Sequence, residues 1–127
     1  MDTATTYLRL LSEPTRLRLL LMLQTHGELC VCELTAALES IQPRISRHLA
    51  TLRDGGVVVD RRDGQWIFYR LHPELAPWKG AVLENVTGAM VDDPAHRADC
   101  ERLAAMANRP VRRCCEHETE AGMNADA

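Results

Sequence analysis

The sequence predicts a mainly α-helical domain that carries one β-hairpin. Apolar residues recur at helical spacing in several stretches, most regularly between residues 40 and 56. Two runs of strand-forming residues flank the Asp63-Gly64 pair, which is typical of a hairpin turn. With 127 residues, of which 46% are hydrophobic, the chain is long enough to bury a core. We therefore expect one domain over residues 1–109, followed by a flexible cysteine-containing tail over residues 110–127.

Two helices are predicted at the N-terminal end. The first is short and covers residues 3–11. The second begins at Pro14, with Ser12 as its N-cap, and ends at Gly27. Because leucines occupy nearly every side of this second helix, it should lie at the centre of the core.

A pair of short helices follows. An extended segment at residues 28–30 leads into a helix over residues 31–38, and a break at Glu39 separates it from the stretch Ser40–Gly56. Pro43 suits the first turn of this last helix, and Ser40 or Gln42 can cap it, while the glycine pair ends it. One of its faces is apolar and the opposite face carries arginines. Two short helices joined by a tight break, the second of them basic, form a helix-turn-helix suited to the major groove of DNA.

A β-hairpin is predicted directly after the basic helix. Its strands are Val57–Val59 and residues 65–71, and its turn covers residues 60–64. Arg61 and Arg62 are expected at the tip, where a wing contacts phosphate or the minor groove. The helix-turn-helix and the hairpin together predict a winged helix-turn-helix.

Two more helical segments are predicted after the hairpin. Pro77 and Gly80 interrupt the start of the first, and Asp92 or Asp93 caps a last helix that begins at Pro94. We expect this last helix to have little core of its own. It should pack with the N-terminal helix across the two-fold axis of a homodimer.

The charge distribution agrees with a DNA-binding face. The chain has a net charge of −3, but residues 41–72 hold six arginines against three aspartates and so carry +3. Every basic residue of that segment is arginine, which favours bidentate contacts to phosphate or guanine. The candidate contacts to double-stranded operator DNA are Gln42, Arg44, Ser46, Arg47, His48, Thr51, Arg61 and Arg62.

The cysteines indicate a reducing compartment. Five cysteines are an odd number, and the N-terminus has no basic-then-apolar export signal. No run of about 18 apolar residues is present. We expect a soluble, cytoplasmic protein with reduced thiols and no membrane partner.

Four segments carry a resemblance to a known family: SEPTRLRLLLML, ELCVCEL, QPRISRHLATLRDGGVV and DGQWIFYRL. In this order, within roughly residues 7–72, they resemble the arsenic-responsive branch of the ArsR family of bacterial metalloregulatory repressors. The resemblance implies a homodimeric repressor of an arsenic-resistance operon that leaves its operator when an arsenical binds. It also implies that ELCVCEL, with Cys30 and Cys32, is the arsenite-binding segment.

The chemistry of ELCVCEL supports such a site. Soft ions such as As(III) and Sb(III) prefer thiolate ligands. Residues two apart on a regular helix do not face each other, so gathering Cys30 and Cys32 around one ion should bend the first turn of their helix. The other reading is that both cysteines are small core residues.

The third ligand of a trivalent ion is left open. Some family members carry a third cysteine where this chain has Thr35. Cys100, Cys114 and Cys115 are possible additional ligands, as is a small-molecule thiol. A methylated trivalent arsenical needs two thiolates, so arsenite, antimonite and methylarsenite all remain candidate inducers.

Three alternatives accompany this hypothesis. A divalent-metal sensor on the same scaffold would use Asp92, Asp93, His96 and Asp99, although capping and solvent exposure explain these residues more simply. A thiol-redox sensor would use Cys30 with Cys32, or Cys114 with Cys115. An enzyme is not expected, because the sequence has neither a CxxxxxR loop after a strand nor a glycine-rich phosphate loop, and no catalytic cofactor is predicted.

Overall fold

The computed structural model describes residues 2–110, in which six helices surround a three-stranded antiparallel sheet. The helices are α1 (Asp2–Ser12), α2 (Pro14–His26), α3 (Val31–Leu38), α4 (Gln42–Asp54), α5 (Pro77–Ala89) and α6 (Pro94–Ala105). The strands are β1 (Leu29–Cys30), β2 (Val58–Asp63) and β3 (Trp66–Leu71), in the spatial order β1-β3-β2. The prediction of a mainly α-helical winged helix-turn-helix is confirmed.

Helix α2 lies at the centre of the core, as its all-round apolar surface predicted. Its five consecutive residues from Leu19 to Leu23 are all buried. The prediction of Ser12 as its N-cap is wrong. Pro14 occupies the first helical turn, which leaves Glu13 as the cap, and a Glu13 carboxylate oxygen accepts the Arg16 N–H at 2.8 Å.

Helices α3 and α4 form the predicted helix-turn-helix. Helix α4 packs through Ile45, Leu49 and Leu52, all fully buried. Its N-cap is Ile41, whose side chain has no acceptor, so the predicted caps Ser40 and Gln42 are both wrong. The apolar stripe therefore holds α4 in place without help from an N-cap side chain.

The wing is longer than predicted. Strand β2 continues through Asp63, and Arg61 and Arg62 lie opposite Phe68 and Ile67 of β3. The turn consists of Gly64 and Gln65 alone, and Gly64 has the left-handed φ of 62° that glycine adopts readily. The prediction that Arg61 and Arg62 sit at the hairpin tip is therefore wrong, because both lie within a strand.

Helix α6 has a core within its own chain, contrary to expectation. Leu103 is buried, and the Arg102 guanidinium donates to the Ala37 carbonyl at the end of α3 at 2.7 Å. Asp93 is its N-cap, one of the two predicted caps, and accepts the N–H groups of the next turn. The packing of α6 against α2 and α3 places it beside the helix-turn-helix and not on a free face.

Helix α5 docks on α1 and leaves apolar surface exposed. The Tyr7 hydroxyl donates to the Lys79 carbonyl at 2.8 Å, and the Tyr7 and Trp78 rings meet edge to face with centroids 5.3 Å apart. Leu8 and Trp78 are 50% and 42% exposed. Pro77 starts α5, and Gly80 lies inside it without breaking it.

No helix in the described part of the chain is long and apolar enough to cross a membrane. The predicted tail, with Cys114 and Cys115, lies outside the described residues, apart from its first residue Pro110, which is buried.

Candidate DNA interface and thiol site

The exposed face of α4 carries the groups that a DNA-reading helix requires. Gln42 and Arg47 are exposed, and Ser46 is half-buried beside them. Within residues 2–110, the Arg47 guanidinium forms neither a hydrogen bond nor an ion pair, so it is available for a ligand outside the chain. Thr51 is exposed, and its hydroxyl donates to the Arg47 carbonyl at 3.2 Å.

Two predicted DNA contacts on α4, Arg44 and His48, interact with residues at the start of α2. An Arg44 guanidinium N–H donates to the Thr15 hydroxyl at 3.2 Å. The His48 ring is mostly buried, with its Nδ1 3.9 Å from a Glu13 carboxylate oxygen. Burial lowers the pKa of His48, Glu13 opposes this effect, and nearby arginines reinforce it. The lowered pKa disfavours the positively charged form of His48.

The two wing arginines have different surroundings. The Arg61 guanidinium donates to both Glu28 carboxylate oxygens at 2.7 Å and lies over the Phe68 ring, 4.5 Å from its centroid. Arg62 is exposed and forms no ion pair within residues 2–110. Arg61 thus fastens the wing to the segment before β1, whereas Arg62 is an exposed cation of the wing.

Cys30 and Cys32 meet at the junction of the wing with α3. Cys30 is the last residue of β1, pairs with Phe68 of β3, and is also the N-cap of α3. Its backbone is extended (φ −85°, ψ 161°), which brings the Cys30 and Cys32 Cα atoms to 5.4 Å and their sulfurs into contact. The assumption that both cysteines lie on a regular helix is therefore wrong, because Cys30 precedes the helix as its N-cap. Whether a bound ion bends or unwinds the first turn of α3 stays a prediction.

The two sulfurs lie at bonding distance from each other, as in a disulfide, whereas the reduced state expected for these thiols in the cell stays a prediction. The Cys30 sulfur also accepts the Cys32 N–H at 3.2 Å and so caps α3. Reduction of this bond leaves two adjacent sulfurs at a helix N-terminus, an environment that favours thiolates. Thr35, at the position of the missing third cysteine, donates its hydroxyl to the Val31 carbonyl at 2.7 Å.

A buried carboxylate supports the thiol site. Glu33 is fully buried, and its Oε1 accepts the Cys30 N–H at 2.8 Å, which completes a capping box. Its Oε2 accepts the Arg109 guanidinium from the C-terminal end of the described chain. Glu33 therefore fixes both the backbone of Cys30 and the point from which the tail departs.

A cleft of about 350 Å³ opens beside the thiol pair, between α4 and β3. It is lined by Cys30, Val31, Cys32, Gln42, Ser46, Ala50, Arg53, Gln65, Trp66, Ile67 and Tyr69. The cleft thus joins the cysteines to two of the predicted DNA contacts on α4.

Comparison with known proteins identifies the family. Residues 13–59 match the family described as "Bacterial regulatory protein, arsR family". Over 100 residues, the chain is 52% identical to the arsenic resistance transcriptional regulator ArsR1 of Pseudomonas putida, a match that covers 79% of this chain and 77% of the relative. The chain belongs to the arsR family.

Two further relatives of this arsR-family chain are named for arsenic resistance. The regulator ArsR2 of Pseudomonas putida is 50% identical over 107 residues, covering 83% of this chain and 91% of the relative. The arsenical resistance operon repressor of Escherichia coli is 38% identical over 112 residues, covering 88% of each chain. These relatives are transcriptional regulators, which is not an enzyme class.

Solved structures share the fold. HlyU from Vibrio cholerae superposes with a TM-score of 0.64 at 33% identity, covering 71% of this chain and 94% of that chain. The AntR antimony-specific transcriptional repressor gives 0.60 at 31% identity, covering 69% and 77%. The homodimeric winged helix-turn-helix domain Mb0332 from Mycobacterium bovis gives 0.59 at 27% identity, covering 71% and 82%.

Cys100 lies apart from the thiol pair of this arsR-family chain. Its sulfur is 3.3 Å from His26 Nε2, 3.6 Å from His96 Nε2 and 3.9 Å from the Met22 sulfur. Burial raises the pKa of the Cys100 thiol, and the acidic neighbours Asp99 and Glu101 act in the same direction. Its contacts are with α2 and with its own helix, so it is not positioned as a third ligand beside Cys30.

The acidic residues and histidine considered for a divalent-metal site have other partners. Asp93 caps α6, and Asp99, fully buried, accepts guanidinium groups of Arg18 and Arg102 at 2.7–3.0 Å. His96 is buried on the α2 side of α6, and Asp92 is exposed in the turn. Residues 2–110 contain no group of three histidine, cysteine or acidic side chains placed to hold a metal ion.

Sequence reasoning missed two parts of this site. The signal for Glu33 was present, since a glutamate three residues after an N-cap is the second half of a capping box. It was overlooked because cysteine is not an expected N-cap. The cleft beside Trp66 left no local signal, because it depends on how the wing packs against α4.

Proposed function

We propose that this chain is a repressor of an arsenic-resistance operon that binds operator DNA through α4 and Arg62 of the wing. Trivalent arsenic or antimony bound to Cys30 and Cys32 releases it. The observation that carries the proposal is the position of Cys30, which ends a wing strand and caps α3 at the same time. The relatives named for arsenic resistance and the antimony-specific repressor support this inducer class.

The route from inducer to DNA follows from that position. An ion on the Cys30 sulfur competes for the lone pair that accepts the Cys32 N–H, and so weakens the N-cap of α3. Loss of an N-cap costs about 1 kcal/mol, which is within the range of allosteric coupling energies. Because α3 leads into α4 through three residues, and β1 pairs with β3, the same event shifts both DNA-contacting elements.

The DNA-binding part is tested with Arg47→Ala. We expect weaker binding, measured by fluorescence anisotropy at fixed salt on a duplex selected from random sequence with the wild-type protein. Arg70→Ala, an exposed arginine of β3, tests whether loss of any surface cation has the same effect. Equal affinity of Arg47→Ala and wild type would remove α4 from the interface.

The third ligand is proposed to come from the tail. Arg109 pairs with Glu33, which follows Cys30 by three residues in the sequence, and this ion pair holds the start of the tail. Cys114 follows Pro110 by four residues, which span at most about 14 Å. Cys114 or Cys115 then adds affinity for arsenite without being the switch. Truncation after Pro110 should keep induction but require more arsenite, and complete loss of induction would contradict this assignment.

The protein is further proposed to act as a homodimer through α1 and α5. Leu8 and Trp78 form an apolar surface on these two helices, and a structural neighbour is described as homodimeric. A two-fold arrangement places two copies of α4 on successive turns of DNA.

Redox sensing is a second candidate function, favoured by the Cys30–Cys32 disulfide. Peroxide oxidises the two thiols to the disulfide and is itself reduced to two molecules of water. This function predicts that peroxide releases DNA without any arsenical, and that a phosphine reductant restores binding. Unchanged DNA binding after quantitative oxidation, verified by mass, would exclude it.

A further inference from the structure

The cleft beside the thiol pair is lined by both apolar and polar residues. Val31, Ala50, Trp66, Ile67 and Tyr69 supply apolar and aromatic surface. Its polar lining includes Gln42 and Ser46, which also belong to the proposed DNA face. Both cysteine residues line the same cleft, although Cys30 is buried, so a group attached to an ion on their sulfurs lies next to the other lining residues.

The chemistry of a trivalent arsenical leaves one position to be filled. Cys30 and Cys32 supply two sulfur ligands, and within residues 2–110 no further cysteine lines the cleft. In an organic arsenical the third position is a carbon substituent that does not exchange. That substituent is then placed either in solvent or against the apolar residues of the cleft.

We propose that this cleft binds the aryl substituent of an organic trivalent arsenical held by Cys30 and Cys32. The inference rests on the proposed function and names a further class of inducer for the same site. The lining includes the aromatic residues Trp66 and Tyr69 and the aliphatic residues Val31 and Ala50, with which a phenyl ring can pack. A phenyl ring buries far more apolar area than a methyl group, so the aryl compound is preferred.

Binding of the arsenical is an exchange of ligands without electron transfer. The disulfide is first opened by a phosphine, which takes up the oxygen of one water molecule and leaves two thiols. Two As–O bonds of the dihydroxy arsine then break and two As–S bonds form. The two thiol protons leave with the hydroxide groups as two water molecules, and arsenic stays trivalent.

The occupied cleft also affects the DNA face. Gln42 and Ser46 lie along it on α4, and Gln65 and Trp66 lie along it on the wing. An aryl group seated between α4 and the wing is therefore adjacent to both DNA-contacting elements. The contacts that raise the affinity of the aryl arsenical therefore also place its aryl group beside the proposed DNA-binding surface.

The test compares phenyl and methyl trivalent arsenicals, which share two exchangeable positions and differ in the substituent alone. Release of the selected duplex from the full reduced chain is titrated with each compound and with arsenite. We expect the phenyl compound to act at a concentration at least about tenfold lower than the methyl compound. Ala50→Leu, which fills the cleft, should abolish this preference but retain release by the methyl compound.

Two further variants complete the design. Ala104→Leu makes the same change on the exposed surface of α6 and should keep the tenfold preference. Trp66→Ala removes an aromatic side chain of the cleft and should also abolish the preference for the phenyl compound. This variant provides the test if Ala50→Leu fails to fold. Equal potency of the two compounds on wild type, or a preference kept in both cleft variants, would overturn the proposal. If no arsenical releases wild type, the proposed function itself fails.

Discussion

Glu33 connects three parts of the molecule through one buried carboxylate. It accepts the Cys30 N–H and the Arg109 guanidinium, so strand β1, the start of α3 and the segment that follows α6 share one partner. A carboxylate without exposed surface is costly unless it is paired and hydrogen-bonded. At the scale of single residues, the thiol site is therefore held by a group that is not itself a ligand.

Glu33→Gln should lower the free energy of unfolding by about 1–3 kcal/mol, because the amide still accepts the Cys30 N–H but no longer compensates the charge of Arg109. Urea unfolding measures this difference. Glu39→Gln is the control, since Glu39 is exposed and lies 3.9 Å from Arg102. An equal effect of the two substitutions would show that the buried pair contributes nothing.

Arg61 and Arg62 are adjacent, and the structure assigns them different roles. Arg62→Ala should reduce the slope of log affinity against log salt by about 1, because one phosphate contact is lost. Arg61→Ala should instead lower stability by about 1 kcal/mol, because the bidentate pair with Glu28 is lost. Salt titrations of DNA binding and urea unfolding of both variants separate these roles. The reverse pattern would place Arg61 on the DNA.

At the scale of helices and strands, local signals predicted most elements. Pro14 and Pro94 placed two helix starts, and the glycine pair placed the end of α4, because these residues restrict the backbone locally. The errors arose where tertiary contacts decide. Strand β2 extends past its predicted end because β3 pairs with it, and α6 packs inside the chain because Arg18 and Arg102 neutralise Asp99.

The docking of α1 on α5 predicts a pH dependence. Burial raises the pKa of Tyr7 to about 12. Because the pKa is higher in the folded state than in the unfolded state, the stabilisation is complete below pH 10 and is lost as pH rises towards 12. Tyr7→Phe should cost about 1 kcal/mol at pH 8 through loss of the hydrogen bond to Lys79. It should also be less sensitive to alkali. Parallel unfolding curves of both proteins at pH 8 and pH 11 check this, and an equal alkaline loss would contradict it.

At the scale of the whole molecule, the apolar surface and the basic surface lie on different elements. Leu8 lies on α1 and Trp78 on α5, whereas the arginines of the proposed DNA face lie on α4 and β2. This separation lets two copies join without covering the DNA face. The sequence placed the dimer contact on the N-terminal helix and the last helix. We propose α5 for this role, because one face of α6 packs against α2 and α3.

Leu8→Arg should convert the dimer to monomers and weaken DNA binding at least about tenfold, since each monomer contacts one half-site. Sedimentation velocity gives the assembly state, and anisotropy gives the affinity. Val91→Arg makes the same substitution at an exposed apolar residue outside α1 and α5. A monomeric Val91→Arg together with a dimeric Leu8→Arg would move the interface elsewhere.

The central claim is that Cys30 and Cys32 are the input of the switch and α4 is its output. The most direct measurement is arsenite titration of DNA-bound protein under a phosphine reductant, for wild type, Cys30→Ser, Cys32→Ser and the control Cys100→Ser. We predict that all four bind DNA and that both variants of the pair stay bound at the arsenite concentration that releases wild type and Cys100→Ser. Release of either pair variant at that concentration would contradict the account.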